Sequence, residues 1–391
     1  MLEERLRRAF RDRVELTPAG TDRADQIIHR TRRTQRLRKA GVSLASVLAF
    51  AMLIGGVLGW QVLRTPRTGY DSSVFSADPT ALPRPLVTAS IDPNDVASLG
   101  IDLRIGDLLW TTDGRRLDLG ANGDVERAYR VPAGWIYSTN SGVFLQPVDG
   151  DPMQVAPEES RWTVSEDGRR IAVMVDGQLT VAELSREGAQ RRGVINVPAD
   201  SAPTALLGDR VLVSGSAAAG PRGFEFVTVT GRSGVANPAW NATVSSVFGT
   251  RSDSAVGLAK AAGQQLCLAA LHPEGPTKTM AVKTTKICGF EHSGEDLTHT
   301  LSPDGGWLAD PDGDQLSLLS VDNALADTRS TKACAATGVG APVWLDARTV
   351  VAPYDGGVVR CQTDGVRKLL RVPVSAGTSW ALVPRLGPLD R

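Results

Sequence analysis

The hydrophobic positions of this chain form one long uncharged run near the N-terminus and many short runs after it. The long run extends from Ala40 to Leu63 and contains no charged residue. As a helix it would be roughly 36 Å long, which is enough to cross a bilayer core of about 30 Å. Buried helices of soluble proteins are usually shorter and are interrupted by polar residues. The pattern therefore predicts a transmembrane helix over residues 40–63.

Basic residues concentrate immediately before this predicted transmembrane helix. The positive-inside rule places such a flank in the cytoplasm, so we expect a cytoplasmic N-terminus and an extracytoplasmic C-terminal part. A secretory signal has a short basic start, whereas 39 residues precede this run. An uncleaved single-pass anchor in the cell membrane is therefore favoured, and the Arg32-Arg33 pair leaves a twin-arginine export signal as the alternative. The flanking basic residues are Arg30, Arg32, Arg33, Arg36, Arg38 and Lys39.

The predicted cytoplasmic tail, residues 1–39, is basic and has helical periodicity. It contains 12 Lys and Arg residues against 6 Asp and Glu residues. Its apolar residues recur every four positions, which indicates one apolar stripe on a charged helix. The stripe consists of Leu2, Leu6, Phe10 and Val14. Two interpretations remain open, namely a docking site for a cytoplasmic protein and a lipid-facing anchor whose basic residues meet anionic headgroups.

Small residues recur at the same interval inside the predicted transmembrane helix. Ala51, Gly55 and Gly59 are four positions apart, a spacing that lets two helix backbones approach closely. The pattern predicts a helix-packing face for self-association. The general abundance of glycine in membrane helices is the alternative explanation. Residues 64–85 are rich in Pro, Ser and Thr, so we interpret them as an extended spacer that precedes an ectodomain over residues 86–391.

One sequence pattern, which we call the repeated phrase, recurs through the predicted ectodomain. Residues 164–184 read VSEDGRRIAVMVDGQLTVAEL, and residues 301–321 read LSPDGGWLADPDGDQLSLLSV. Both contain an Asp-Gly turn, an apolar run, a second turn and a second apolar run. This order is typical of a β-hairpin with the turn that leads into it. Weaker copies of the phrase begin at Ala133, Leu207, Ser252 and Leu345.

The spacing of the phrases predicts an all-β fold, the β-propeller. The second turns recur at intervals of about 35 to 50 residues, the size of one four-stranded blade. Each phrase would be the middle hairpin of its blade. Residues 107–119 read as the outer strands of a further blade, and residues 377–384 read as a strand without a local partner. We therefore expect strands from both ends of the domain to close a ring of seven blades, with six as the alternative.

The SPDG string at residues 302–305 and the SEDG string at residues 165–168, each followed by an apolar strand, resemble the TolB-like and WD-repeat propeller families. The resemblance covers roughly residues 85–390, and the Gly-His and Trp-Asp signatures of true WD repeats are absent. The whole layout is similar to that of actinobacterial single-span proteins with a propeller outside the cell. Some proteins of that layout regulate sigma factors, which implies signalling to a cytoplasmic partner. The zinc-binding His and Cys pattern of their cytoplasmic domain is missing here.

The four cysteines all lie in the part of the chain that is predicted to be extracytoplasmic. An even number of cysteines in an oxidising compartment indicates disulfide bonds. Cys267 and Cys288 fall on the predicted third and fourth strands of one blade, so they can pair as neighbours. Cys334 and Cys361 then pair by elimination and would link successive blades. Metal binding is not expected, because no two cysteines are closer than 21 residues.

Candidate chemistry is sparse in this sequence. The formal net charge is zero, so no global field attracts nucleic acid. His29, His272, His292 and His299 have no nucleophile and acid arranged beside them, and we predict no catalytic residue and no cofactor. Residues 310–315 resemble a calcium loop, but Gln315 replaces the required glycine, which favours a hairpin turn.

Three classes of function remain open at this point. The favoured one is a non-enzymatic binding or sensing module, whose end face contacts a protein or a cell-wall polymer. The alternatives are an extracytoplasmic propeller hydrolase or lactonase and a structural scaffold of the cell envelope. Convergent carboxylates or histidines at the central channel would favour the enzyme, whereas an exposed apolar patch at one end would favour a partner.

Overall fold

The structure is a computed structural model of the 391-residue chain. It describes residues 93–216, 222–229, 234–261, 264–275, 280–290, 300–312, 315–336, 339–355, 357–372, 374 and 379–387. All of these residues belong to the compact unit Thr80–Arg391. The predicted tail, transmembrane helix and spacer, with Ala51, Gly55 and Gly59, lie outside the described residues. Within the described part, no helix has the length and apolar character needed to cross a membrane.

The described strands form seven antiparallel sheets, which confirms the predicted seven-bladed β-propeller. Four blades are continuous in sequence and have four strands each. Blade 2 contains β4 (Val125–Val131), β5 (Gly134–Thr139), β6 (Gly142–Pro147) and β7 (Met153–Pro157). Blade 3 contains β8 (Arg161–Val164), β9 (Arg170–Val175), β10 (Gln178–Ser185) and β11 (Gly188–Asn196). Blade 5 contains β15 (Val244–Arg251), β16 (Ser254–Lys260), β17 (Leu266–His272) and β18 (Ala281–Cys288). Blade 7 contains β22 (Val343–Trp344), β23 (Thr349–Tyr354), β24 (Gly357–Gln362) and β25 (Arg367–Leu370).

Blades 4 and 6 each have three full strands and one reduced strand. Blade 4 contains β12 (Ala202–Leu207), β13 (Arg210–Ser216) and β14 (Arg222–Thr228). Its fourth strand is reduced to one bridge between Phe224 and Asn241. Blade 6 contains β19 (Trp307–Asp312), β20 (Gln315–Ser320) and β21 (Thr331–Ala335), with the short helix α2 (Val321–Leu325) after β20. Of its first strand, the described residues show one bridge, between Leu301 and Leu308. The strands β19 and β20 pair antiparallel with Asp312 opposite Gln315, which agrees with the prediction of a hairpin for residues 310–315.

Blade 1 closes the ring with strands from both ends of the domain, as the sequence predicts. A helix, α1 (Pro93–Leu99), precedes β1 (Leu103–Ile105), β2 (Leu108–Trp110) and β3 (Arg116–Asp118). The final strand, β26 (Trp380–Leu382), pairs antiparallel with β1. The strand β1 lies immediately upstream of the two outer strands that the sequence shows, and it was too short to recognise from the hydrophobic pattern.

The ring is held together by apolar side chains between successive blades. Among the described residues, seven buried clusters occur, and each joins two neighbouring blades. For example, Leu109 of blade 1 packs with Trp135 and Tyr137 of blade 2. The clusters explain why the phrase recurs, because a single sheet cannot bury both of its faces, whereas sheets stacked around an axis bury them against one another.

The turns of the repeated phrase follow from its Ser-x-Asp-Gly string. Ser302 Oγ donates to Asp304 over 2.6 Å and accepts the backbone N–H of Trp307 over 2.9 Å. Side chain and backbone together lock the turn that leads into the second strand of the blade. The same arrangement occurs at residues 165–170 and, with threonine, at residues 111–115.

Both predicted disulfides are present. Cys267 and Cys288 face each other across the third and fourth strands of blade 5. Cys334 of β21 and Cys361 of β24 link blade 6 to blade 7. Among the described residues no cysteine is free.

Candidate functional site

At one end face of the propeller, the C-terminal segment of the chain meets the turns of neighbouring blades. We call this end the closure face. Here the C-terminal segment, residues 383–387, lies beside the turns between the first and second strands of blades 2, 3, 6 and 7. This segment continues from β26 and crosses the neighbouring turns. Its backbone bonds to Arg130 twice, through Pro384 O and Leu386 N, each over 2.8 Å. Gly387 N then donates to Glu166 O of blade 3 over 2.9 Å.

The close approach of this segment requires glycine in the SEDG string. Gly168 has a φ of 66°, and a Cβ atom placed on it would lie 2.6 Å from the carbonyl oxygen of Leu386. A side chain at this position would push the C-terminal segment away from blade 3. The repeated turn therefore does more than connect strands, because at blade 3 it also receives the end of the chain.

A cavity of about 280 Å³ opens at the closure face, at the junction of blades 7, 1 and 2. We call it the closure pocket. Its lining residues come from the N-terminal and C-terminal parts of the domain, which together form blade 1, and from blades 2 and 7. The lining residues are Gly100, Ile101, Asp102, Thr112, Arg130, Leu345, Asp346, Thr349, Arg360, Gln362, Val383 and Arg385.

One wall is a hydrogen-bonded network around the buried carboxylate of Asp102. This side chain is 1 % exposed and forms a salt bridge with Arg130 over 3.0 Å. Its second oxygen accepts the indole N–H of Trp135 over 2.8 Å. Thr112 adds its backbone N–H over 2.8 Å and its hydroxyl over 3.2 Å. These donors come from blades 1 and 2, so the carboxylate links the two blades through hydrogen bonds at its buried position.

The opposite wall is built by blade 7 and by the end of α1. The Arg360 guanidinium reaches from β24 and donates through Nη2 to the carbonyl oxygens of Ser98 and Leu99. These carbonyls lie in the last turn of the helix, where backbone acceptors are commonly bonded by side chains. Gly100 makes this contact possible, because a Cβ atom there would lie 3.0 Å from Arg360 Nη2. Arg360 Nε is buried and has no hydrogen-bond acceptor.

The electrostatics of the closure pocket are dominated by arginine. Three arginines and two aspartates line it. Asp346 Oδ1 accepts the backbone N–H groups of Arg348 and Thr349 over 2.7 and 2.8 Å, so this carboxylate caps its own turn. The positive field extends to the adjacent turn of blade 1. Burial opposes ionisation of the Asp113 carboxyl there, but a hydrogen bond from Thr111 and the charge of Arg130 outweigh burial and hold its pKa below the ordinary value.

The residues singled out from the sequence do not lie in this pocket. The four cysteines are structural pairs within blade 5 and between blades 6 and 7. His272 ends β17, whereas His29, His292, His299 and the basic flank Arg30–Lys39 lie outside the described residues. Where the chain is described, no group of three or more His, Cys, Asp or Glu side chains is placed to hold a metal ion.

Sequence reasoning missed the residues that line the closure pocket. Asp102, Arg130, Arg360 and Arg385 come from distant parts of the chain and share no motif. One signal was available, since Asp102 directly follows an apolar helix-to-strand connection and has no local turn partner. A lone aspartate in such a place is also common on protein surfaces, so it could not identify a site.

Comparison with known proteins finds distant structural similarity and no match in sequence. No protein-family model matches the sequence, and no curated protein matches it significantly. Apo AztD from Citrobacter koseri is 14% identical over 69% of this chain and 82% of its own, with a TM-score of 0.47. The extracellular domain of BT4673 from B. thetaiotaomicron is 9% identical over 68% of this chain and 41% of its own, with a TM-score of 0.40. Hsv2 from Kluyveromyces lactis is 10% identical over 52% of this chain and 72% of its own, with a TM-score of 0.32.

Proposed function

We propose that this chain is a membrane-anchored, non-enzymatic binding module, whose propeller lies outside the cell and senses a ligand at the closure face. The observation that supports the proposal is the closure pocket. It is a cavity of about 280 Å³ that contains polar and charged side chains from blades 7, 1 and 2. Clefts that combine a shaped cavity with a few convergent polar groups are the usual form of ligand sites.

The position of the pocket in the chain suits a sensor. Its wall includes Gly100 and Ile101, which directly follow α1, and α1 is the first described element after the predicted spacer and transmembrane helix. A ligand that contacts this wall also contacts the stretch of chain that leads back to the membrane. In this proposal the basic tail, residues 1–39, reports ligand binding to a cytoplasmic protein such as a sigma factor, as the family resemblance implies.

Protease treatment of intact cells tests the location of the propeller. A non-penetrating protease should degrade residues 64–391 and spare a membrane-embedded fragment that contains residues 1–63. An epitope tag at each end of the full chain reports the two fragments on an immunoblot. Permeabilised cells are the control, since there both tags should disappear. Loss of the N-terminal tag with retention of the C-terminal tag in intact cells would refute the proposed topology.

Crosslinking in living cells tests the cytoplasmic partner. The full chain is compared with a variant in which Leu6 and Phe10 are both changed to Asp, which removes the apolar stripe but keeps the basic residues. We expect the unaltered chain to be crosslinked to a sigma factor and the variant to lose this product at least tenfold. A control variant, Asp12→Asn, changes a charged position and should keep it. Crosslinking to lipid alone in all three chains would show that the tail is an anchor instead.

A further inference from the structure

We propose that the closure pocket takes its ligand through an anionic group of carboxylate or phosphate type, and that Arg360 is the residue that recognises this group. The inference rests on the proposed function, because it names the ligand class of the same binding module. It is carried by the charge balance of the pocket, by the unmet hydrogen bonding of Arg360 and by the size of the cavity.

The carboxylates of the pocket are already engaged by donors of the protein itself. Asp102 accepts hydrogen bonds from Arg130, Trp135 and Thr112. Asp346 accepts the backbone N–H groups at the start of β23. A cationic ligand would have to compete with these donors for the same oxygens. Three arginines stand against two aspartates, so the pocket carries a net positive charge that favours an anion.

Arg360 has donors to offer that the protein leaves unused. A guanidinium carries five N–H donors and no acceptor. Nη2 is occupied by the carbonyls of Ser98 and Leu99, whereas Nε is buried without an acceptor. Nη1 forms no hydrogen bond within the described structure and, unlike Nε, is not buried. A carboxylate or phosphate oxygen in the cavity can accept from Nη1, and such charge-assisted bonds are stronger than neutral ones.

The dimensions and the remaining lining groups limit the ligand to a small polar moiety. The cavity of about 280 Å³ lies near the lower end of the range of roughly 300–1,000 Å³ for ligand sites. Thr112, Thr349 and Gln362 add neutral polar groups to the wall. A free small anion, or the acidic end of a larger cell-wall polymer that remains mostly outside, fits this description.

Binding at Arg360 has a structural consequence that can be measured. The same guanidinium holds the last carbonyls of α1 and lines the cavity. A ligand that immobilises Arg360 therefore also stabilises the end of α1, because the hydrogen bonds to Ser98 and Leu99 then open less often. We expect slower hydrogen exchange over residues 93–101 when the pocket is filled, and little change in blades 4 and 5.

Titration calorimetry on the full chain in detergent, at constant ionic strength, tests the ligand class. Citrate and inorganic phosphate are the two anionic probes, and glucose is the neutral probe. We expect saturable binding of at least one anion and none of glucose. Arg360→Gln should weaken the binding at least tenfold, whereas Arg367→Gln, on the exposed neighbouring strand, should leave it unchanged. Citrate binding alone would assign a carboxylate, and phosphate binding alone would assign a phosphate.

Three outcomes would overturn the inference. They are the absence of binding for both anions, equal binding by Arg360→Gln and the unaltered chain, and anion binding without slower exchange over residues 93–101. Arg360→Lys covers the case in which the glutamine variant misfolds, because it keeps the charge but loses the planar fork and should still bind more weakly. Glucose binding without anion binding would refute the anionic class and leave the binding module intact. A reversed protease pattern would refute the topology and leave the anion site intact.

Discussion

The buried carboxylates of Asp102 and Glu225 differ in how completely hydrogen-bond donors surround them. Asp102 is surrounded by donors from Arg130, Trp135 and Thr112. Glu225, on the third strand of blade 4, uses one oxygen to accept the backbone N–H groups of Phe226 and Met280, over 2.9 and 3.0 Å. Its other oxygen is buried without a partner. Both oxygens of the first carboxylate accept hydrogen bonds, whereas only one oxygen of the second does.

Replacing Asp102 by Ala should destabilise the propeller strongly. The change leaves the Arg130 guanidinium and the Trp135 indole N–H without their acceptor, and removal of one partner of a buried ion pair costs on the order of 3–5 kcal/mol. We expect the free energy of unfolding, measured by urea denaturation with tryptophan fluorescence, to fall by about 3 kcal/mol. The exposed Asp253→Ala serves as the control. Equal stability of the two variants would contradict the role of Asp102.

Glu225 should make stability depend on pH. Burial raises the pKa of this carboxyl above its ordinary value, and the two backbone N–H groups counteract the rise only in part. A raised folded-state pKa contributes stability that is present below the unfolded pKa and is lost as the pH rises through the folded pKa. Glu225→Gln removes this loss. We therefore expect the free energy of unfolding of the variant to exceed that of the unaltered chain by an amount that grows as the pH rises through the folded-state pKa of Glu225. Urea denaturation at a series of pH values measures this difference. A difference in unfolding free energy that stays constant from acidic to neutral pH would refute this prediction.

At the scale of the elements, each hairpin is shaped by residues that are close in sequence, whereas the links between blades join residues of different sheets. The second turn of the phrase in blade 3 has positive φ values of 47° at Asp176 and 78° at Gly177, as a tight hairpin turn requires. Residues adjacent in the sequence determine this shape. The disulfide between Cys334 and Cys361 joins strands of different blades, and it depends on how those blades stack.

Loss of the disulfide between blades should open blades 6 and 7 locally. Closing a loop with a sequence separation of 27 residues raises the free energy of unfolding by about 3.5 kcal/mol in the chain-entropy model. The double variant Cys334→Ala, Cys361→Ala should lose roughly this amount and show faster hydrogen exchange in β21 and β24. The double variant Cys267→Ala, Cys288→Ala should show faster exchange in β17 and β18 instead. Identical exchange patterns in the two variants would contradict this assignment.

At the scale of the whole molecule, stability depends on closing the ring. Each blade buries both faces only because it has a neighbour on each side, and blade 1 obtains its innermost strand from the C-terminus. The pairing of Leu103 with Leu382 joins residues that are nearly the whole domain apart. Such closure leaves no blade with an open face.

Truncation of the chain after residue 376 should therefore unfold blade 1 and not merely shorten it. The truncated chain lacks β26 and the segment that bonds to Arg130, so Leu103 loses its contact with Leu382 and the rest of its apolar cluster is exposed. We expect loss of the near-ultraviolet circular dichroism of packed tryptophans and rapid degradation by added protease. A chain that ends at Gly387 keeps both features and should resemble the full chain. A stable truncated protein would show that closure is dispensable.

The blade architecture could be predicted from the sequence, but the closure pocket could not. All six phrases proved to be middle hairpins, because turn residues and apolar runs act over a few neighbouring positions. The reduced strands at Asn241 and Leu301 gave no such pattern, since each contributes a single bridge. The pocket residues Asp102 and Arg360 have no common motif, and nothing local to either residue predicts the other.

The sequence by itself determined the repeat and the prediction of a membrane anchor, because both depend on residues at a fixed local spacing. The closing strands and the cysteine pairs could be predicted only after the repeat had assigned the remaining residues to blades. Only the tertiary structure decided which side chains meet at the closure face. Arg360 reaches the end of α1 and Asp102 reaches Arg130 and Trp135 because the two ends of the domain are joined there. Contacts of this kind depend on the angle at which successive sheets stack around the ring, and that angle is set by the packing of all seven interfaces together.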